Sequence, residues 1–132
     1  MRSLMYVSSA VADLDKAALN ALVESASVFN DARGITGCLA FNGLNFLQVI
    51  EGEDAMIDIC MDRIRADTRH EGIVVLRDAQ VEQREFPDWA MAGRIVPPSQ
   101  DGQASTILAD LLDRANIETR KIFGSFSTLS SI

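Results

Sequence analysis

Few side chains in this sequence place a polar group where the surroundings should be dry, and those few define the chemistry open to it. Gln48 is the clearest. It lies inside Asn45-Phe46-Leu47-Gln48-Val49-Ile50, a run whose apolar content marks a buried central strand. A buried amide without partners costs about 1–3 kcal/mol, so Gln48 needs a hydrogen-bonding neighbour. Tyr6, within Leu4-Met5-Tyr6-Val7, sits on another inner strand and carries a suitable phenol. The alternatives are a glutamine satisfied elsewhere in the core, or a strand position nearer water. Asn30 offers a similar choice: an asparagine can simply end a helix, or this one can face the region between two helices. Arg63, Arg65, Arg69 and His70 are the densest positive stretch. They either pair with carboxylates such as Asp62 and Asp67 on a solvated face or meet a phosphate. Trp89 and Met91 share one strand face, as core packing or as cofactor contacts.

Other chemistry lacks its residues. The sequence has one histidine, no glycine-rich phosphate loop and no Ser-His-Asp spacing. Glu51 and Glu53 flank Gly52, and two carboxylates beside a turn are expected to be solvated. Cys38 and Cys60 are in apolar surroundings, which makes thiols inert, and their spacing fits neither a metal site nor a disulfide scaffold. The formal net charge is −7, from 12 Lys+Arg and 19 Asp+Glu, which argues against a nucleic-acid surface. No signal peptide and no run of about 18 apolar residues is evident, so a cytoplasmic protein off the membrane is expected. At 132 residues, 48% of them hydrophobic, the chain can bury a core of its own.

The elements that must position these residues follow from periodicity and turn chemistry. Residues 3–8 read as a strand with Leu4, Tyr6 and Ser8 on one face. Residues 14–32 read as a helix, with Asp13 as N-cap and Gly34 as stop. One of its stripes carries Leu14, Ala18, Ala21, Leu22, Ser25 and Phe29, the other Leu19, Val23, Ala26 and Asn30. Two stripes imply packing on two sides. Strands are predicted at 35–41 and 44–51 around the hairpin signal Asn42-Gly43. A helix is predicted at 54–67, with further strands at 73–76 and 89–96. A linker at 99–103 precedes a helical tail with Ile107, Leu108, Leu111, Leu112 and Ala115 at helical spacing. The order βαββαββ predicts a ferredoxin-like α+β sandwich, with both helices on one sheet face. The domain spans 1–97 and the tail 98–132. Met5, Val7, Leu39, Phe41, Leu47 and Val49 are read as a second apolar face, for the tail or a second copy to cover.

In sequence order these landmarks resemble the BLUF family, the sensors of blue light using FAD. They are Leu4-Met5-Tyr6-Val7-Ser8-Ser9, Asn30, Gly34-Ile35-Thr36-Gly37, Phe46-Leu47-Gln48-Val49-Ile50-Glu51-Gly52, Ile64, Asp67, Arg69-His70, Arg84 with Phe86, and Trp89-Ala90-Met91. The resemblance implies a flavin ring between the two helices, sandwiched by Val23 and Ile64 and hydrogen-bonded by Asn30. It implies a light-responsive pair, Tyr6 and Gln48: an electron and a proton leave Tyr6 and return, and the Gln48 amide emerges rearranged. Asp67, Arg63, Arg69 and His70 match positions near the ring or its tail. Strand 89–96, with Trp89 and Met91, is the expected responsive element. The implied cofactor is FAD, with FMN or riboflavin as alternatives. The implied role is a photoreceptor and not an enzyme, assembling as a homo-oligomer and signalling to a separate protein, since only some 35 residues follow the core. Phe29, Ala26 and Ala90 depart from residues common in the family, and Phe29 is expected to loosen or retune the site. The competing readings are a ferredoxin-like enzyme or ligand-binding module without flavin, and a purely oligomerising adaptor.

Overall fold

Tyr6 and Gln48 are brought together by strand register. In the computed structural model, which describes residues 1–11, 15–86 and 92–95, β1 (Arg2–Ala10) pairs antiparallel with β3 (Asn45–Gly52). The register sets Tyr6 opposite Gln48. β3 also pairs with β2 (Thr36–Phe41), and β1 with β4 (His70–Gln80). β5 (Ala92–Ile95) runs parallel to β2, giving the strand order β4-β1-β3-β2-β5. Two helices, α1 (Lys16–Asp31) and α2 (Asp54–Ala66), complete the βαββαββ order predicted from the sequence.

The turn between β2 and β3 sets the pairing. Phe41 pairs with Phe46, leaving Asn42–Asn45 to reverse the chain. The Asn42 side-chain oxygen accepts from the backbone N–H of Leu44 at 3.0 Å and of Asn45 at 2.8 Å. Gly43 takes φ +98°, a region closed to most side chains. The consequence corrects the sequence reading. Leu39 stands opposite Gln48 and Phe41 opposite Phe46, so both share the face of Tyr6 and not that of Met5. Alternation within one strand does not say which face the next strand shares; the turn decides it.

Both helices pack on that Tyr6 face, as predicted. Leu4, Tyr6, Leu39, Phe41, Phe46 and Ile50 from the sheet form one cluster with Leu19 of α1 and Ile57, Cys60 and Met61 of α2. On the opposite face Met5, Cys38, Ala40, Leu47 and Val49 are also buried. The helical tail expected after residue 98 lies outside the described residues, as do Trp89 and Met91.

Helix α1 starts later than predicted. Its cap is Asp15, whose carboxylate accepts from the Ala18 N–H at 2.7 Å, whereas Asp13 lies outside the described residues. Two nearby aspartates cap equally well in sequence terms. The helix ends where Gly34 turns the chain at φ +65°, and the Asn30 carbonyl accepts from Arg33 and Ile35 N–H. Helix α2 carries Asp54 in its first turn and Arg63 and Arg65 in its last, the placement the helix dipole favours.

Strand β4 is much longer than the predicted 73–76. Its ends are polar and solvated, so hydrophobic pattern could not reveal them; ladder hydrogen bonds to β1 hold them. The β1–β4 register shifts twice, between Met5 and Tyr6 and between Val7 and Ser9. β4 forms an edge of the sheet, and Val74, Val75 and Leu76 are 55%, 42% and 44% exposed. Among the described residues no helix is long and apolar enough to cross a membrane.

Candidate functional site

A cavity of about 300 Å³ opens between the two helices and the sheet face that carries Tyr6. That size is at the lower end for small-molecule sites. Its floor is Tyr6, Leu39, Phe46 and Gln48 of the sheet. One wall is Leu22, Ala26 and Asn30 of α1, and the other is Cys60, Arg63, Ile64 and Ala66 of α2. Asp67, Arg69 and His70 also line it, just beyond the end of α2. Nearly all the residues singled out from the described sequence therefore converge. Val23 does not line the cavity and packs against the hydrophobic core. Arg65, at an exposed position, does not line it either. Sequence reasoning missed Leu22, Leu39, Phe46, Cys60 and Ala66, and noted Ala26 only as a member of the Asn30 stripe and a departure from the family. The cavity wall draws on both stripes of α1, so no single stripe identified it.

At the floor, the Tyr6 hydroxyl donates to Gln48 Oε1 in a buried hydrogen bond. This answers the question posed by an amide in a central strand: Gln48 is 5% exposed and its partner is the phenol. Burial drives the Tyr6 hydroxyl far above its ordinary pKa, so it stays a neutral donor.

Asn30 is 1% exposed. Its main-chain carbonyl ends the helix, and its side-chain oxygen receives the Cys60 thiol at 3.6 Å. The residue therefore fills both roles left open by the sequence. Burial pushes the Cys60 thiol up to about 11, while Arg63 and Arg33 pull weakly the other way. The thiolate is the nucleophile, so iodoacetamide at about pH 8 should leave Cys60 unmodified in the folded chain and alkylate it in denaturant. Mass spectrometry of both samples tests this; rapid native labelling would contradict it.

His70 closes the floor. Its Nε2 is 2.8 Å from the Ile64 carbonyl, and its Nδ1 is 2.7 Å from Ser8 Oγ. A carbonyl only accepts, so Nε2 carries the hydrogen and, in the neutral ring, Nδ1 accepts from the Ser8 hydroxyl. The ring thus links the end of α2 to β1, 6.2 Å from the Tyr6 ring centre.

The cations sort themselves by partner. Arg69 grips Asp67, with Nη2 to Oδ2 at 2.6 Å and Nε to Oδ1 at 2.9 Å. Hydrogen bonding to Arg69 is the main cause holding the Asp67 carboxyl below its usual range. Arg63 instead crosses from α2 to α1. It donates to Ser25 Oγ at 2.6 Å and lies over the Phe29 ring at 4.6 Å. Arg33 lies over that ring at 3.7 Å. Phe29, flagged in the sequence as a departure, is thus a platform for two guanidinium groups. No group of three or more potential metal ligands occurs among the described residues.

Of the two carboxylates beside Gly52, Glu53 is exposed as expected and Glu51 requires a correction. Glu51 is completely buried, not solvated. Its position between Ile50 and a glycine resembled a turn, but β3 continues through Gly52.

Comparison with known proteins places this geometry. Residues 1–92 match the family model "Sensors of blue-light using FAD". The photoactivated adenylate cyclase subunit beta of Euglena longa is 33% identical over 110 residues, covering 76% of this chain and 13% of that protein. Subunit alpha of Euglena gracilis is 34% identical over 94 residues, covering 69% of this chain and 9% of that one. This chain therefore corresponds to a small part of those relatives. Among solved structures, Klebsiella pneumoniae BlrP1 in a manganese and cyclic-diGMP complex superposes with a TM-score of 0.82 at 30% identity, over 96% of this chain and 32% of that one. The dark-state structure of BlrB, a BLUF protein, gives 0.74 at 28% identity, over 96% of this chain and 94% of that one. With the family model matching from residue 1 to 92, on a fold shared with these proteins, the chain belongs to the BLUF family of blue-light sensors that use FAD.

Proposed function

We propose that the cavity between α1 and α2 seats a flavin, and that Tyr6 and Gln48 turn light absorption into a change of hydrogen bonding. The observation that carries this reading is the buried Tyr6–Gln48 pair on the floor of a largely apolar cavity. The residues fit such a group. Leu22, Ala26 and Ile64 offer apolar walls for a flat ring, Asn30 and Gln48 offer amides for its polar edge, and Arg63 and Arg69 offer cations for a phosphate-bearing tail. Val23, half-buried and packed against the core, is proposed to back the α1 wall. FAD is the proposed form; because most of the lining serves the ring, FMN and riboflavin are the alternatives, and extraction from the purified protein distinguishes them.

When bound, the flavin supplies blue-light absorption and an electron acceptor. Tyr6 is the electron donor, and its hydroxyl proton moves along the existing bond toward Gln48 Oε1. A primary amide presents an acceptor on one side and two donors on the other. Half a turn, or tautomerisation, of Gln48 therefore reverses what it offers to Tyr6 and to the ring edge. The two orientations offer opposite hydrogen-bonding patterns, which makes the change discrete and not graded. Trp89 and Met91, in the segment entering β5, are proposed to respond to it. The signal then passes to an effector protein, by analogy with the cyclase subunits that contain a similar stretch, in a cytoplasmic homo-oligomer.

The purified chain should be yellow, and blue light should move its absorption slightly to the red, with recovery in the dark. A colourless chain that cannot be loaded with flavin would reject this reading and leave a ferredoxin-like module of another kind. Asn30→Ala should keep the fold but bind flavin about five- to tenfold more weakly, as expected from losing a hydrogen bond of about 1 kcal/mol or slightly more. Fluorescence titration of apoprotein with flavin measures it; unaltered affinity and an unaltered dark spectrum would remove Asn30 from the site.

A further inference from the structure

Glu51 is the one fully buried carboxylate among the described residues, and it belongs to no part of the cavity. It lies in register with Ser3 of β1 and Thr36 of β2. It therefore shares the sheet face of Met5 and Val49, opposite the cavity. Three donors meet its carboxylate. Oε1 accepts from the Phe86 N–H at 2.6 Å and the Thr36 hydroxyl at 3.3 Å, and Oε2 accepts from the Glu85 N–H at 2.9 Å. Arg84 Nη1 bridges the Thr36 hydroxyl at 2.9 Å and the Glu51 main-chain carbonyl at 3.0 Å. Arg77 Nη2 joins the Glu85 carboxylate at 2.7 Å to Ser3 Oγ at 3.0 Å. The cluster thus ties β1, β2, β3 and β4 to residues 84–86.

Its location explains why so many bonds converge. The chain leaves the sheet at β4 on one edge and re-enters at β5 on the other. β3 is the central strand of the five, so Glu51 holds the crossing segment midway. It does so through backbone amides, whose position does not depend on side-chain identity. Gln48 lies three residues earlier on the same strand.

We propose that Glu51 is a positioning residue of the light response, a latch through which a change at Gln48 on one sheet face reaches the segment leading into β5 from the other. This rests on the photoreceptor reading above. A rearranged Gln48 alters the load on β3, and the Glu51 carboxylate passes any displacement of that strand to the Glu85 and Phe86 amides. Burial of the carboxyl, which raises its pKa against the pull of those amides, accords with an acid kept there for its bonds and not for solubility.

The test uses the full chain, with Glu51→Gln as an isosteric variant whose amide can satisfy only one of the two backbone donors. Amide hydrogen exchange is followed in the dark and under blue light, with the flavin spectrum recorded on the same samples. In the wild type, exchange over residues 84–95 should differ between light and dark. In Glu51→Gln the red shift should persist, exchange at Glu85 and Phe86 in the dark should be about tenfold faster (about 1.4 kcal/mol), and the light–dark difference over 84–95 should vanish. A merely structural role predicts faster exchange with that difference intact, and this result overturns the latch. Should Glu51→Gln not fold, the wild-type Glu85 and Phe86 amides, which the Glu51 carboxylate holds directly, give the second measurement: their protection should change with light, and equal protection in light and dark overturns the latch. A wild type that shifts its spectrum without any change over 84–95 also overturns the latch alone. A wild type without a light-dependent spectrum overturns the photoreceptor reading, and the latch with it.

Discussion

Tyr6→Phe should bind flavin about as well as the parent chain and show no red-shifted state under blue light. The substitution removes one oxygen from a side chain that is 3% exposed and leaves the ring to fill the same space. Gln48 Oε1 loses the Tyr6 hydroxyl, a cost of about 1–3 kcal/mol. That is tolerable within the 5–15 kcal/mol typical of a folded domain. The photochemical loss should be complete, because this is the only tyrosine in the chain and phenylalanine offers neither an accessible electron nor a proton. Light-minus-dark absorption of the two proteins at equal flavin content is the measurement. Gln48→Leu should also lose the red shift, for a different reason: the partner that rearranges is gone. A normal shift in either variant would reject the assigned roles.

Gly37→Ala should be the most damaging small substitution in the sheet. A β-carbon at Gly37 would lie 2.0 Å from the Val49 carbonyl oxygen and 3.2 Å from the Ile50 α-carbon. Both belong to the backbone of β3, which is paired on both sides and cannot retreat without breaking a ladder. Relief requires β2 and β3 to separate at the strand that carries Gln48. We expect a loss of about 3 kcal/mol or more, seen as little soluble protein and a much lower melting temperature by circular dichroism. Gly43→Ala provides the contrast: beyond its own chain neighbours no atom lies within 4 Å of its would-be β-carbon, so its cost is confined to the positive φ. Equal melting temperatures for Gly37→Ala and the parent would mean that the two strands are not so closely apposed.

Much of this architecture was legible in the sequence because pattern and turn chemistry agreed. The element order followed from periodicity and turn signals, and the helices on one face from that order; polar residues interrupting apolar runs made Tyr6 a candidate partner for Gln48 and a site between the helices one of two readings of Asn30. What failed depended on information that is not local. Leu39 and Phe41 were placed on the wrong face because register is a property of two strands. The ends of β4 were invisible because solvated ladder residues carry no hydrophobic signal. Glu51 looked solvated because its partners are main-chain amides more than thirty residues away, and backbone donors leave no trace in composition. The cavity itself could be anticipated only in part: Asn30 and Ile64 stood out, whereas Leu22 and Ala26 are ordinary helix residues until a second helix stands opposite them.

The exposed stretch of β4 has a consequence for how this protein behaves when concentrated. Ile73, Val74, Val75 and Leu76 are consecutive strand-formers on an edge whose outer side has no pairing strand among the described residues. Such segments template cross-β stacking between molecules. The chain counters this in two ways. Glu71 sets a charge at one end of the run and the Arg2–Asp78 ion pair a charged group at the other, and the two register shifts against β1 warp the edge so that a second flat strand fits it poorly. The charges act as gatekeepers only while they are unscreened, since the Debye length falls from about 10 Å at 0.1 M salt to about 3 Å at 1 M. High salt therefore removes the first of these protections and leaves the warped ladder alone to keep the molecules from joining edge to edge into fibres.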